Sequence, residues 1–379
     1  MAPALVSARS RKRLEQLGPA EAEVRLREIA ARGGTPALAF AAVGGGRIAL
    51  ATALGTADLA RGTTASPETP FLWFSVTKLF TATAVMQLVE RGRVDLDVSA
   101  RRWVPSFVVE GGEPTVRQLL GHTAGLANPI PITWIHLAAE PGPELDALVG
   151  RLLARHRRLR FEPGARYAYS NLGYLVLGQL VERVSGERYG QVVKRHVLDA
   201  LGCAASGFDP PRAPAATGYT RTFSLMRAVG RAMLDRRFFA GTRDGFEAFR
   251  PFLVDGAPYG GLVGTVPDVA RFLGAHLGGG CFEGRRILSE ASAAAMREPQ
   301  RDLRGRPLPV GLGWHLGELG GEPFAYHLGG GAGFRSELRM YPRLGCGVAV
   351  VANETGFDTG QAARLAVACG AAAGADDRA

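Results

Sequence analysis

The chain has 379 residues, 46% hydrophobic and 21% charged, with 45 basic against 35 acidic side chains and a formal charge of +10. These are globular proportions with length for a large buried core. No apolar run approaches a membrane-spanning helix, and MAPALVSARSRKRLEQLG at the N-terminus lacks the apolar centre of a secretory signal, so a cytoplasmic location is expected.

Residues 1–19 are expected to form a flexible tail. AEAEVRLREIAAR (20–32) carries an amphipathic helical period closed by Gly33-Gly34. PALAFAAV, GGG and RIALATAL then give strand, turn and strand, a hairpin over 37–54. A helix is expected from Ser75 to near Arg91, with Gly92 as its stop. It is apolar on nearly every face, which places it at the centre of the molecule.

Residues 95–205 read as mostly helical with loops. The clearest helix is NLGYLVLGQLVERVSGE (171–187), ended by Gly186. In 221–255, Arg227, Arg231 and Asp235 make a charged stripe at i, i+4 spacing, and Phe223, Met226, Gly230 and Met233 an apolar one. The segment reads as a lid helix over a pocket; plain packing on the surface and a membrane-surface helix are the alternatives. The last third turns to short strands at 311–319, 323–328, 334–341 and 346–353, then a helix near 358–371 and a flexible end at 374–379. The first hairpin must pair somewhere, and this sheet is its natural partner. The expected fold class is therefore α/β (α+β). An antiparallel sheet flanked by helices is built from 20–94 and 206–373, beside a mostly helical domain at 95–205.

Within FLWFSVTKLFTATAVMQLV (71–89) the only charged side chain is Lys78. Lysine is scarce: Lys12, Lys78 and Lys194 stand against 42 arginines. A lysine kept in an apolar segment suggests a need for an amine that can lose its proton, which arginine cannot do. On a helix Ser75 and Lys78 share a face, and burial lowers the amine's pKa so that it can take the hydroxyl proton. Taken alone, the pair also fits a capping serine with a snorkelling lysine.

Two further stretches decide the matter: Tyr169-Ser170-Asn171 directly before a helix, and His327-Leu328-Gly329-Gly330 at the end of a strand. With these the sequence resembles the penicillin-recognising serine hydrolases, nearest to class C β-lactamases, family VIII esterases and DD-peptidases. The motifs run in that group's order, SxxK, YxN and then HxG in place of KTG. VRQLLGHTAGL (116–126), FEPG (161–164) and GGLVGTVPDVARFL (260–273) match as connecting segments.

The resemblance implies that Ser75 is the acylated nucleophile and that Lys78 and Tyr169 share the base work, Tyr169 as phenolate or relay. It implies that Asn171 bonds Lys78 and the substrate, and that the N–H groups of Ser75 and Gly330 form the oxyanion hole. Glycine at 329–331 lets the strand approach the acyl group. His122 is expected to hold a loop near the site, Tyr167 to be a decoy beside Tyr169, and Trp73, Trp314 and Tyr326 to be core more than pocket.

His327 departs from the lysine of the third motif. It is mostly neutral at pH 7, a weak anchor for a substrate carboxylate. A carboxylesterase acting on small acyl esters is therefore expected. The alternatives are a β-lactamase, a D-amino-acid peptidase or acyltransferase, and a non-catalytic binding module. Cys203, Cys281, Cys346 and Cys369 form no CxxC pair, and the seven histidines form no HExxH, so neither metal nor cofactor is expected. The basic clusters RSRKR (9–13) and RHRRLR (155–160) lack an aromatic stacking platform, which argues against nucleic acid.

Overall fold

The computed structural model describes residues 19–211 and 213–376; of the expected tail at 1–19, residues 1–18 lie outside them and Pro19 opens the first helix. Helix α1 spans Pro19–Gly33. Strands β1 (Ala37–Gly44) and β2 (Arg47–Asp58) form the expected hairpin, turning at Gly45 and Gly46, both with positive φ. A two-residue strand, β3 (Thr63–Thr64), pairs with β2.

The C-terminal strands are β4 (His315–Leu319), β5 (Glu322–Gly331), β6 (Phe334–Tyr341) and β7 (Cys346–Ala352). Together they make one seven-stranded sheet in the order β4-β5-β6-β7-β1-β2-β3. The chain ends meet where β1 pairs antiparallel with β7, from Leu38↔Ala352 to Gly44↔Cys346. The sheet expected from both chain ends is thus the one observed.

Every residue of β1 is buried, because the strand sits between two layers. Leu38, Phe40 and Ala42 face one way, against Leu26 of α1 and Ala362, Ala363 and Ala366 of the C-terminal helix. Ala37, Ala39, Ala41 and Val43 face the other way, into the main core with Val269 and Leu273. Side chains alternate across a strand, so burial on both faces produces the uninterrupted apolar run ALAFAAV. The C-terminal helix, Thr359–Asp376, approaches closely enough that a Cβ on Gly44 would lie 1.9 Å from the Gly370 carbonyl oxygen. It runs to Asp376, so the expected flexible end from 374 is instead helical as far as the described residues go.

Helix α2 (Thr77–Glu90) is buried from Thr77 to Leu88. It packs against helix α3 (Asn171–Ser185), whose left-handed Gly186 ends it as expected.

The 221–255 segment differs from expectation. Only Leu225–Met233 (helix α4) is helical. Strands Tyr219–Arg221, Phe246–Phe249 and Phe239–Arg243 form a small sheet in that order, and Phe252–Val254 pairs with Ile135–Leu137. The reason is a hairpin signal hidden in FFAGTRDGFEAF: Asp244 and Gly245 both adopt positive φ (50° and 81°), as a two-residue Asp-Gly turn requires. Asp235 leaves the charged stripe and caps the turn at Arg236–Phe238.

Candidate active site

Ser75 sits in the single turn Phe74–Val76 that leads into α2. Phe74 before it has φ 47° and is nearly buried. A phenylalanine held left-handed is strained by about 1–3 kcal/mol. The ring packs against Phe252 and Phe334, each centroid 6.5 Å away, and these contacts hold the strained turn in place.

Lys78 lies one turn along. Its Nζ donates to Ser75 Oγ at 3.1 Å and to the Tyr259 carbonyl at 2.8 Å. The amine is fully buried, and burial lowers its pKa well below 10.5. It sits 4.9 Å from the Tyr169 ring centre, 5.2 Å from Tyr259 and 5.5 Å from Tyr174. Three ring faces would favour an ammonium modestly, but the loss of water outweighs them.

Tyr169 is hydrogen-bonded to Ser75, and burial raises its pKa. The phenol therefore holds its proton at neutral pH. A lowered amine pKa at Lys78 and a phenol that keeps its proton at Tyr169 are the arrangement in which an amine can accept the Ser75 proton with the phenol as relay, and they do not favour a phenolate. Ser75 is thus flanked by the Lys78 amine and the Tyr169 hydroxyl.

Asn171 is the first residue of α3, but the cap is Ser170, whose Oγ accepts from the Gly173 N–H at 3.2 Å. The bond from Asn171 to Lys78 implied by the resemblance is replaced: Lys78 bonds the Tyr259 carbonyl, and Asn171 Oδ1 is buried without a partner. The Asn171 N–H donates to Asn128 Oδ1 at 3.0 Å.

The third motif lies on β5. Strand β4 pairs only with residues 322–326 of it, so 327–331 form a strand edge open on that side. Backbone N–H groups alternate in direction along a strand, so some of this edge is free to donate. A Cβ on Gly329 would lie 2.2 Å from the Trp73 carbonyl oxygen, and one on Gly331 would lie 2.2 Å from the Phe74 ring. Glycine is what lets this edge sit against the nucleophile's turn. Ser336 Oγ ties the strands to that turn by donating to the Trp73 carbonyl at 2.7 Å.

His327 is buried, and burial lowers its pKa well below 6.5. Its Nδ1 donates to the Leu328 carbonyl at 2.8 Å, which leaves Nε2 as a lone pair without a partner. His122 and His315 join it, with ring nitrogens of all three within 4.8 Å of one another. No local spacing announces this cluster; His122 and His327 were expected near the site separately, and His315 was not. Burial, first among the causes, keeps His122 neutral as well and brings His315 down to about 4.

Proximity alone would admit a metal ion, but the hydrogen bonds restrict the donors. The Ser170 N–H donates to His122 Nδ1 at 3.2 Å, which puts the proton of the neutral ring on Nε2 and removes its lone pair. His122, with φ 55°, accepts this bond as a loop anchor, and its ring lies tilted against that of Tyr169, with centroids 4.4 Å apart. Tyr167 is more than a neighbour of Tyr169: its hydroxyl bonds His315 Nε2 at 3.0 Å. Tyr259, whose carbonyl Lys78 uses, lies one residue before the matched stretch 260–273, and no motif marks it. Trp73 and Trp314 are fully buried core residues, whereas Tyr326 is half-buried beside His315.

A hydroxyl beside a buried amine of lowered pKa is an arrangement that one group of serine hydrolases uses in place of a histidine base. Residues 23–372 match the beta-lactamase family, and the chain belongs to it; its members are hydrolases acting on ester and amide bonds. Among curated proteins it is 27% identical over 311 residues to "Penicillin-binding protein 4" of Amycolatopsis lactamdurans, covering 77% of this chain and 74% of that one. It is 32% identical over 300 residues to "Esterase EstB" of Burkholderia gladioli, covering 72% of each. Among solved structures, D-amino acid amidase from Ochrobactrum anthropi SV3 superposes with a TM-score of 0.74 at 22% identity, covering 94% of this chain and 99% of that one. Among the described residues no helix is long and apolar enough to cross a membrane.

Proposed function

We propose that this protein is a carboxylesterase that takes small acyl groups from uncharged esters onto Ser75. Lys78 accepts the Ser75 proton, with Tyr169 as relay, while Oγ attacks the ester carbonyl. The oxyanion is held by the N–H groups of Ser75 and Gly330; one such donor contributes about 3 kcal/mol. The carbon–oxygen bond then breaks, the alkoxide takes the proton from Lys78 through Tyr169, and water repeats the sequence to release the acid. The observation that carries this reading is His327: buried, neutral and clustered with two more neutral imidazoles. The position gives no fixed cation to a substrate carboxylate, and placing such an anion beside buried neutral rings is costly.

A second reading, hydrolysis of D-amino-acid amides or peptides, draws on the unpartnered Asn171 Oδ1, an acceptor suited to an acyl amide N–H. Turnover of p-nitrophenyl acetate and butyrate should exceed that of a chromogenic cephalosporin and of D-alanine p-nitroanilide by at least tenfold in kcat/KM. A higher value on the cephalosporin or the anilide would overturn the ester assignment.

A further inference from the structure

Helix α4 is mounted inside out. At about 100° per residue, Leu225, Met226, Val229 and Met233 fall on one side and Arg227 and Arg231 on the other. In a surface helix of a globular protein the apolar side faces the core. Here the guanidinium groups turn back onto a carboxylate while their side chains stay 35% and 39% exposed: Arg227 Nε donates to Glu247 at 3.0 Å, and Arg231 Nε reaches both oxygens of that carboxylate, at 3.0 and 3.1 Å. Glu247 is completely buried. The helix itself contains no buried residue.

The apolar side is left to solvent. Phe223 is 100% exposed, Leu225 79%, Met226 46% and Met233 44%. Ile130, 70% exposed, precedes the Pro131–Thr133 turn beside which the helix packs, and extends the patch. A water-facing helix would not be expected to display its largest apolar residues while committing its arginines to an internal carboxylate.

The surroundings are basic. Residues 219–254 contain seven arginines against Asp235, Asp244 and Glu247; Arg236 and Arg237 are exposed, the latter paired with Glu140 at 2.7 Å, and the segment keeps a net positive charge. A second copy would bring the same positive surface against itself. An anionic lipid surface answers both features, because apolar side chains enter the acyl boundary and arginines meet the headgroups.

We propose that α4, with Phe223 and Ile130, is an interfacial docking surface for anionic lipid bilayers. It seats the protein on the membrane without spanning it. The same segment supplies Phe252, which packs on Phe74 next to Ser75, so docking sets the catalytic cleft near the interface where apolar esters gather. This inference stands apart from the choice of ester over amide.

Co-sedimentation of the full chain with vesicles tests it. Vesicles of equal phosphatidylcholine and phosphatidylglycerol should carry the protein down at 50 mM salt, at least tenfold better than phosphatidylcholine alone and less at 500 mM salt. The triple variant Phe223→Ser, Leu225→Ser, Met226→Ser should lose at least tenfold in partitioning while its turnover of soluble p-nitrophenyl acetate is unchanged. Absence of wild-type binding, or unchanged binding by the active variant, would overturn the proposal. So would a wild-type dimer that the triple variant converts to monomer, since the face would then belong to a second copy.

Discussion

Replacing Lys78 with methionine should destroy activity and stabilise the fold, and the stabilisation should depend on pH in a calculable way. The unfolded chain binds a proton on this amine below about pH 10.5, whereas burial lowers the pKa of the folded chain's amine, which the proposed mechanism requires to be uncharged at neutral pH. The unfolded state therefore binds more protons, and wild-type stability rises with pH across this window. Each pH unit below 10.5 at which the folded protein keeps the amine uncharged costs about 1.4 kcal/mol. Methionine has similar length and no proton to lose. Its loss of the hydrogen bonds to Ser75 and Tyr259, about 1 kcal/mol each, does not vary with pH. Urea unfolding of both proteins at pH 7, 8 and 9 isolates the titration, because all other groups are shared. The advantage of Lys78→Met should shrink by about 1.4 kcal/mol per unit as pH rises, while ester turnover falls by roughly 100- to 10,000-fold. A stability difference independent of pH would show that the amine is not held neutral, and the proposed base would be lost.

Four other outcomes follow from the geometry. Ser75→Ala should abolish turnover with little change in melting temperature, and a fluorophosphonate should label only the wild type at this residue; a wild-type rate in the variant would move the nucleophile elsewhere. Gly329→Ala puts a Cβ 2.2 Å from the Trp73 carbonyl, so the nucleophile's turn must shift, and kcat should fall on the order of 100-fold with a smaller change in KM. Phe74→Gly relieves about 1–3 kcal/mol of backbone strain but deletes a buried ring worth about 3–5 kcal/mol. Net destabilisation in urea is expected, and a gain in stability would refute the anchoring role of that ring. Glu247→Gln removes the charge that grips Arg227 and Arg231, at a cost of roughly 1–3 kcal/mol; trypsin should cut 225–237 faster, with soluble-ester turnover preserved.

Much of the active site was legible because its chemistry is local. Ser75 and Lys78 are one helical turn apart, and a lone lysine in an apolar run among 42 arginines signals a buried, deprotonated amine. Tyr169 and the glycines of 329–331 were legible through their motifs. The partner that Lys78 chose was not: the Tyr259 carbonyl lies 181 residues away and took the place implied for Asn171. The cluster of His122, His315 and His327 was hidden for the same reason, since each sits in a different loop or strand. The Asp244-Gly245 hairpin was a local signal obscured by an overlapping helical stripe.

The order of strands and helices, the central apolar helix and the paired nucleophile and amine were fixed by composition and periodicity, which act over a few residues. Tertiary packing decided what those groups experience. Buried surroundings strip water from Lys78, Tyr169 and His327 and so set their protonation, and a buried glutamate turns the arginines of α4 inward and leaves its apolar side to solvent. Desolvation and burial depend on neighbours brought from distant parts of the chain, and no local pattern encodes them.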